Sequence, residues 1–502
     1  MTSSHIKNPN QPNELNNPNN QTHLNHASHW LWWLLGAVVL ARLLALGAYP
    51  LTDTTEARYG EVARKMAELG NWVTPLYDYG VPFWAKPPLT TWLSAGSIAL
   101  FGVNEFAARL PYLLLAVAIG WLVWQWLRHS SARQAQLAVL LMSGTLVYFV
   151  ASAAVMTDLG LVLGTTLAMR GFWAACDESP ARSPKEVWLL FIGLGIGLLA
   201  KGPIAVVLTA LPIGAWMLLT GNLKTSWQRL PWIKGSLLTL VIAAPWYALA
   251  EIRTPGFWEY FFIGEHWNRF TVTGWAGDKY GTAHATPRGG IWVLSLAAVM
   301  PWTALLLLLW IGRKVTVAPQ TPDATKHARS FTVYLLAWSL ASCVFFTMSG
   351  NILWTYVLPA LPAMAVLAAR WLCRDARITW VNGVVGAGLL AMALLVAGFF
   401  LREQANDSWK TSKTVVLAYH AKSAGQPLLF MGDLPYSASF YAQGKVTALP
   451  GNAELAVRLN AEPIFVALRP DQIKNLPPEL ATRLTLQASS GAYNLYLTVK
   501  QR

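Results

Sequence analysis

Apolar runs of about 18 residues recur along this chain between short polar connections, and a run of that length has few options other than a helix crossing a bilayer. The first spans about Trp30 to Tyr49. Others follow near 110–127, 134–152, 159–175, 187–200, 203–220, 235–250, 289–311, 329–348, 353–372 and 380–401. The 502 residues are 54% hydrophobic and only 12% charged, a balance few soluble proteins have. The fold class is therefore a polytopic α-helical membrane protein. About eleven spans are expected, up to thirteen if long segments are split or short ones counted.

The net charge of +14 does not point to nucleic acid, because the basic residues gather in short loops between spans. Arg128 and Arg133, Arg182 and Lys185, Lys224 with Arg229 and Lys234, Arg313 with Lys314, Lys326 and Arg329, and Arg370 with Arg374 and Arg377 occupy alternate connections. Such clusters face the cytoplasm. The bookkeeping requires the short piece Pro88–Gly102 to lie at the interface or re-enter rather than cross. The N-terminus is then cytoplasmic, and the 51–92 loop, the Asp158 loop, the 251–288 loop and the C-terminal tail share the outer face.

Three units are expected: a disordered cytoplasmic tail over 1–28, rich in Asn, Pro, Gln and His; a membrane domain over 29–401; and an outer α/β domain over 402–502. In the last, Gln426–Met431, Pro463–Leu468 and Tyr493–Val499 have strand character, with helical or turn-rich pieces at Ala453–Leu459 and Pro470–Asn475. Cys176, Cys343 and Cys373 show no metal-ligand or disulfide spacing. No metal is assigned, although carboxylates from separate loops leave a divalent ion open.

The polar loop Leu51–Trp92 concentrates the chemistry, since charge at membrane depth marks function. From Asp53 it has helical period, with Tyr59, Val62, Ala63 and Met66 on one face, a Glu61 to Lys65 pair and Gly70 as a stop. The apolar face suggests a helix lying in the membrane surface. Asp53 is either an N-cap with Glu56 as its capping-box partner, or a catalytic base beside a helix terminus that favours phosphate. Lys86, in Phe83-Trp84-Ala85-Lys86-Pro87-Pro88, is either a snorkelling lysine or a cation aimed at a lipid phosphate. Asp158, Lys201-Gly202-Pro203, the stretch Phe261–Phe270 with Glu265, His266 and Arg269, then His284, Ser349-Gly350-Asn351 and Tyr356 add polar groups on the same face.

The run Thr55-Glu56-Ala57-Arg58-Tyr59-Gly60-Glu61-Val62-Ala63-Arg64, with Lys86-Pro87-Pro88 following, resembles the GT-C glycosyltransferases of the protein mannosyltransferase and aminoarabinose (lipid A) transferase group. The likeness continues through Lys201-Gly202-Pro203, Phe262–Phe270 and Thr355-Tyr356-Val357-Leu358-Pro359, and the small outer domain fits the aminoarabinose branch. It implies an inverting transferase of the bacterial inner membrane that takes a sugar from a polyprenyl phosphate on the periplasmic face. In that branch the carrier is undecaprenyl phosphate, the sugar 4-amino-4-deoxy-L-arabinose and the acceptor lipid A, with no cofactor beyond the donor. By position Asp158 matches a loop carboxylate, Arg58, Lys86 and Lys201 match phosphate or acceptor contacts, and Tyr356 a tyrosine near the carrier. Three positions depart from the family pattern: Thr55 where an Asp is frequent, Ala85 where aminoarabinose transferases carry Glu, and Ile352 where Lys is frequent.

These residues suit a transferase. A polyprenyl phosphate is already a good leaving group, so cations such as Arg58, Lys86 and Lys201 have only to stabilise the charge it acquires. Asp53 or Glu56 is expected as the base, with Asp158 positioning the acceptor. Tyr59, Glu265, His266, Arg269 and Tyr356 complete the expected substrate contacts. The alternatives are a protein or glycan acceptor for the same donor or, in a different class, a lipid or solute transporter, for which Arg42 and Arg170 are the intramembrane charges.

Overall fold

The computed structural model describes residues 27–176, 184–281, 284–311, 322–373 and 378–498. The tail to residue 26 and the basic positions Arg182, Arg313, Lys314, Arg374 and Arg377 lie outside the described residues.

The apolar runs fold as helices: α1 (His29–Ala45), α2 (Thr55–Leu69), α3 (Leu89–Phe101), α4 (Glu105–Leu127), α5 (Ala132–Ser143), α6 (Leu146–Ala151), α7 (Asp158–Cys176), α8 (Trp188–Lys201), α9 (Ile204–Thr220), α10 (Leu223–Gln228), α11 (Trp232–Arg253), α12 (Gly290–Ala298), α13 (Trp302–Ile311), α14 (Pro322–Phe346), α15 (Leu361–Leu372) and α16 (Ile378–Ala405). Among the described residues six helical segments are long and apolar enough to cross a membrane, and α1, α3 and α9 are shorter apolar helices. The chain is a multi-pass membrane protein.

Five further runs of the sequence are not among these six: α1 and α9, with 17 residues, and α8, with 14, are shorter, and two others are broken in the structure. The 134–152 run stops at Gly144-Thr145 between α5 and α6, and the 289–311 run stops before Pro301, which has no N–H to continue a helix. The breaks answer each other. Leu146 N–H donates to the Met300 carbonyl at 2.9 Å, and the Trp302 indole donates to the Leu141 carbonyl at 2.6 Å. Freed backbone groups at membrane depth must find such partners inside the protein. Gly144 permits the approach, since a Cβ there would lie 2.6 Å from the Trp302 ring.

Helix α2 does not leave Glu61, Arg64 and Lys65 to solvent. Its polar face is covered by the hairpin of β1 (Leu76–Asp78) and β2 (Val81–Pro82) and by the C-terminal domain. Glu61 is 1% exposed, Arg64 2% and Lys65 3%. Arg64 pairs with Glu61 at 2.6 Å and with Glu68 at 2.7 Å. Lys65 reaches Glu61 at 3.4 Å and donates to the Tyr77 carbonyl at 2.8 Å. Each buried charge thus has a partner, as burial demands.

The C-terminal domain adds α17 (Lys413–Lys422), β3 (Leu428–Met431), α18 (Tyr436–Tyr441), β4 (Thr447–Leu449), α19 (Asn452–Ala461), β5 (Phe465–Leu468), α20 (Pro470–Lys474), β6 (Leu484–Ser489) and β7 (Asn494–Thr498). Its sheet runs β4-β3-β5-β7-β6, with β3 parallel to β4 and β5 and β7 antiparallel to both its neighbours. Period-two alternation fills both faces: Leu428 and Phe430 pack with Val415 and Ala438 on one side, Leu429 and Met431 with Leu455 and Leu459 on the other.

Fully buried Arg109 of α4 ties the C-terminal end of α1 to the start of α2. It holds Glu56 through two bonds, at 2.7 and 2.8 Å. It also donates to the carbonyls of Leu46, Tyr49 and Pro50 at 2.7–2.8 Å. Arg109→Ala leaves a buried carboxylate and three carbonyls unpaired, so a loss of about 3–5 kcal/mol is expected in detergent unfolding. Arg109→Lys is expected to restore only part of it, because an ammonium cannot reproduce the fork.

Candidate active site

Of the carboxylates expected at the centre of the loop, two are engaged elsewhere. The residue preceding α2 is Thr54, and Asp53 does not cap the helix. Its carboxylate instead accepts the Ser437 N–H at 3.0 Å and the Ser437 hydroxyl, while its own N–H donates to the Lys410 carbonyl at 2.8 Å. Asp53 is thus a link to the C-terminal domain. Burial raises its carboxyl above the ordinary range, against the opposing pull of the Ser437 bonds. Glu56 is spent on Arg109, with weaker bonds from the N–H groups of Thr52 and Val155 at 3.3 Å. Neither lines the cavity described below. Arg58 donates to the Tyr280 carbonyl, and Tyr59 packs edge-on against Phe83 at 5.9 Å; they too lie outside the cavity lining.

The remaining expected residues converge. A cavity of about 420 Å³ is lined at one end by Lys86, Asp158, Lys201, Glu265, His266, Arg269, Asn351 and Tyr356, and elsewhere by apolar side chains of α7, α9 and α14, including Leu161, Val207, Leu208, Phe345 and Phe346. It joins a charged head to an apolar groove.

Helix packing sets one half of that head. Helices α7 and α8 lie in close contact because glycines remove the side chains between them. A Cβ on Gly164 would lie 2.7 Å from the Gly193 carbonyl, and one on Gly171 2.2 Å from the Leu190 nitrogen. Small residues on facing helices permit such approach in membranes. The contact brings Asp158, first residue of α7, to Lys201, last residue of α8, at 2.7 Å. Each charge also opposes the partial charge of its own helix end. Gly202, with φ of 83°, turns the chain at once into α9. The Lys201 ammonium stands 4.8 Å from the Tyr356 ring centroid.

The other half comes from the connection after α11. A π-helical segment, Glu259–Asn268, presents Glu265 and His266. Glu265 receives Lys86 at 2.9 Å, Arg269 at 3.1 Å and the Tyr260 hydroxyl at 3.3 Å. Arg269 also reaches Asp278 at 3.2 Å. Lys86 is aimed by its surroundings: prolines follow it, Trp84 donates to Thr254 at 3.0 Å, and the Lys86 ammonium bonds the Ala85 carbonyl at 2.7 Å. Asn351 pins the segment in place, donating to the carbonyls of Arg269 and Val272 at 2.6 and 2.7 Å and accepting from Gly274 N–H at 2.9 Å. His266 sits with Nδ1 2.7 Å from the Phe261 carbonyl. Burial lowers its pKa, favouring the neutral ring.

Sequence reading overlooked Arg109, Asp278 and the tyrosines at 260 and 280. Asp278-Lys279-Tyr280 was a visible cue, being a polar triplet in the connection after α11; Arg109 had none, lying inside an apolar run.

Burial by itself would raise the Glu265 carboxyl, but the charges of Lys86 and Arg269 outweigh it and hold it below the ordinary carboxylate value. A carboxyl depressed in the folded state contributes stability that is complete above its unfolded pKa and is lost as pH falls through the folded one. Glu265→Gln is expected to destabilise the protein at neutral pH and to flatten the acid side of its melting-temperature profile. A profile unchanged in shape would remove Glu265 from that role.

The comparisons with known proteins agree with this geometry. The model of the dolichyl-phosphate-mannose-protein mannosyltransferase family matches residues 27–261. An undecaprenyl phosphate-alpha-4-amino-4-deoxy-L-arabinose arabinosyl transferase from Pseudomonas fluorescens is 32% identical over 72% of this chain and 61% of its own length. One from Aeromonas salmonicida is 30% identical over 72% of this chain and 64% of its own. The match therefore spans about three fifths of these relatives. The crystal structure of ArnT from Cupriavidus metallidurans bound to undecaprenyl phosphate superposes with a TM-score of 0.73 at 20% identity, covering 95% of this chain and 99% of that one. In fold and in sequence, this chain is a GT-C protein of the aminoarabinose transferase-like kind.

Proposed function

We propose that this chain moves 4-amino-4-deoxy-L-arabinose from undecaprenyl phosphate to lipid A on the periplasmic face of a bacterial inner membrane. The observation that carries the reading is the cavity itself, in which Lys86, Lys201 and Arg269 stand at the head of an apolar groove. A phosphate on a long hydrocarbon chain has that division of chemistry. The names of the relatives supply the sugar and the carrier.

The acceptor oxygen attacks the anomeric carbon from the side opposite the carrier phosphate. The carbon–oxygen bond to phosphate breaks, its electron pair passes to the phosphate oxygen, and configuration inverts. Cations fixed at that oxygen stabilise the transition state more than the ground state, because charge accumulates there as the bond lengthens. In the structure all three cations are held by carboxylates, Lys201 by Asp158, Lys86 by Glu265, and Arg269 by Glu265 and Asp278. An entering phosphate shares them.

The acceptor decides whether a base is needed. A phosphate monoester has a second pKa of about 6, so its oxygen is already a nucleophile near neutral pH. A hydroxyl acceptor must lose a proton in the transition state. Asp158, the carboxylate beside Lys201, would take that proton in the second case and only orient Lys201 in the first.

Mass spectrometry of lipid A tests the reading, in cells that supply undecaprenyl phosphate-aminoarabinose. An amino-pentose on lipid A is expected with the intact protein and not without it; Lys201→Met is expected to reduce transfer about 100-fold, the effect of removing one such donor. Unmodified lipid A in every strain rejects the acceptor and the sugar, and turns the search to glycoproteins, other envelope glycans or transport. In purified enzyme, Asp158→Asn is expected to lower the rate without changing the shape of its pH profile. Loss of the acidic limb instead indicates a hydroxyl acceptor.

A further inference from the structure

A second cavity, of about 520 Å³, lies between α1 and α4 and shares no residue with the first. Its walls follow helical spacing: Trp32, Leu35, Gly36 and Val39 on α1, and Leu113, Ala116, Val117, Gly120 and Trp124 on α4. The lip is open, with Val117 47% and Trp121 58% exposed. One charge lines it, Arg42, on the last turn of α1.

Arg42 is only 7% exposed. One guanidinium nitrogen donates to the Phe149 carbonyl at 3.2 Å, and the group lies over the rings of Phe149 and Phe400 at 4.8 and 5.6 Å. Its Nε is buried and has no hydrogen-bond partner. Arg42 makes no ion pair with any described carboxylate: Glu56, the acid of the adjoining loop, is held by Arg109. Arg170, the other intramembrane arginine, is paired with Glu186 at 2.7 Å. A buried guanidinium with a vacant donor calls for an anion, since an uncompensated charge at this depth costs several kcal/mol.

We propose that this groove binds one anionic membrane phospholipid, its phosphodiester on Arg42 and an acyl chain against Gly36 and Val117. A headgroup whose only charge is its phosphodiester matches a lining with one cation and no carboxylate to receive an ammonium. Length agrees as well. Trp32 to Arg42 rises about 15 Å at 1.5 Å per residue, half of a hydrocarbon core about 30 Å thick. The groove thus spans one leaflet, far less than a polyprenyl chain requires. Arg42 lies toward the loop end of α1, so the lipid belongs to the leaflet on the side of the 51–92 loop.

Native mass spectrometry of the delipidated full-length protein tests this, with phosphatidylglycerol, phosphatidylcholine and undecaprenyl phosphate offered separately. The wild type is expected to retain one phosphatidylglycerol and to discriminate against phosphatidylcholine about tenfold, because the choline ammonium would stand near the Arg42 guanidinium with no carboxylate in the lining to receive it. Arg42→Gln is expected to abolish the discrimination. Gly36→Phe is expected to abolish retention, and it keeps the fold testable because a Cβ at Gly36 meets open space. Lys201→Met, in the other cavity, leaves phosphatidylglycerol retention unchanged. Equal retention of both phospholipids by the wild type, retention undiminished in Gly36→Phe, or displacement of phosphatidylglycerol by undecaprenyl phosphate overturns the proposal.

Discussion

Charge at membrane depth survives only when it is answered, and the architecture of this chain follows from how each answer is made. The Asp158–Lys201 pair is the clearest case. It exists because glycines let α7 and α8 approach until their ends meet, so a property of apolar helix packing determines where two ions stand. Once they stand there, the turn at Gly202 and the groove along α9 follow, and the head of the cavity has an edge. The opposite edge is built differently, from a π-helical segment pinned by one asparagine. Glu265 can therefore hold two cations at once.

Balance, rather than excess, characterises the cavity head. Lys86, Lys201 and Arg269 face Asp158, Glu265 and Asp278, and each cation has a carboxylate partner. A cluster of bare cations would bind phosphate more tightly and release it more slowly, because ground state and transition state would be stabilised together. Carboxylates that share the cations leave room for the difference between the two to appear.

What the sequence made legible were residues whose signal is local. Lys86, Asp158, Lys201, Glu265, Arg269 and Tyr356 each stand at the end of an apolar run or beside proline and aromatic residues, and all six line one cavity. Three strands and two helices of the C-terminal domain were equally visible, because their alternation or period is self-contained. The partners of Asp53 and Glu56 were not legible because they are remote: Ser437 lies 384 residues away and Arg109 53 residues away. Helical period cannot announce either. The broken runs failed for a related reason. Gly144 and Pro301 look tolerable inside apolar stretches, and only their mutual repair through Trp302 and Leu146 shows why both stop there. Strand β4 is three residues long and β6 carries exposed positions, so neither offers an apolar pattern.

The bond from Asp53 to Ser437 bears on the order in which the protein is made. Translation delivers the loop helix hundreds of residues before the segment that covers it, and domains fold as they emerge. Until Ser437 and Tyr441 arrive, the start of α2 lacks the groups that bond Asp53 and the Leu51 N–H, and Gly60 lacks Phe440 above it. A clasp therefore closes over a loop completed hundreds of residues before. A chain that stops short of the C-terminal domain lacks every one of these bonds to its polar loop.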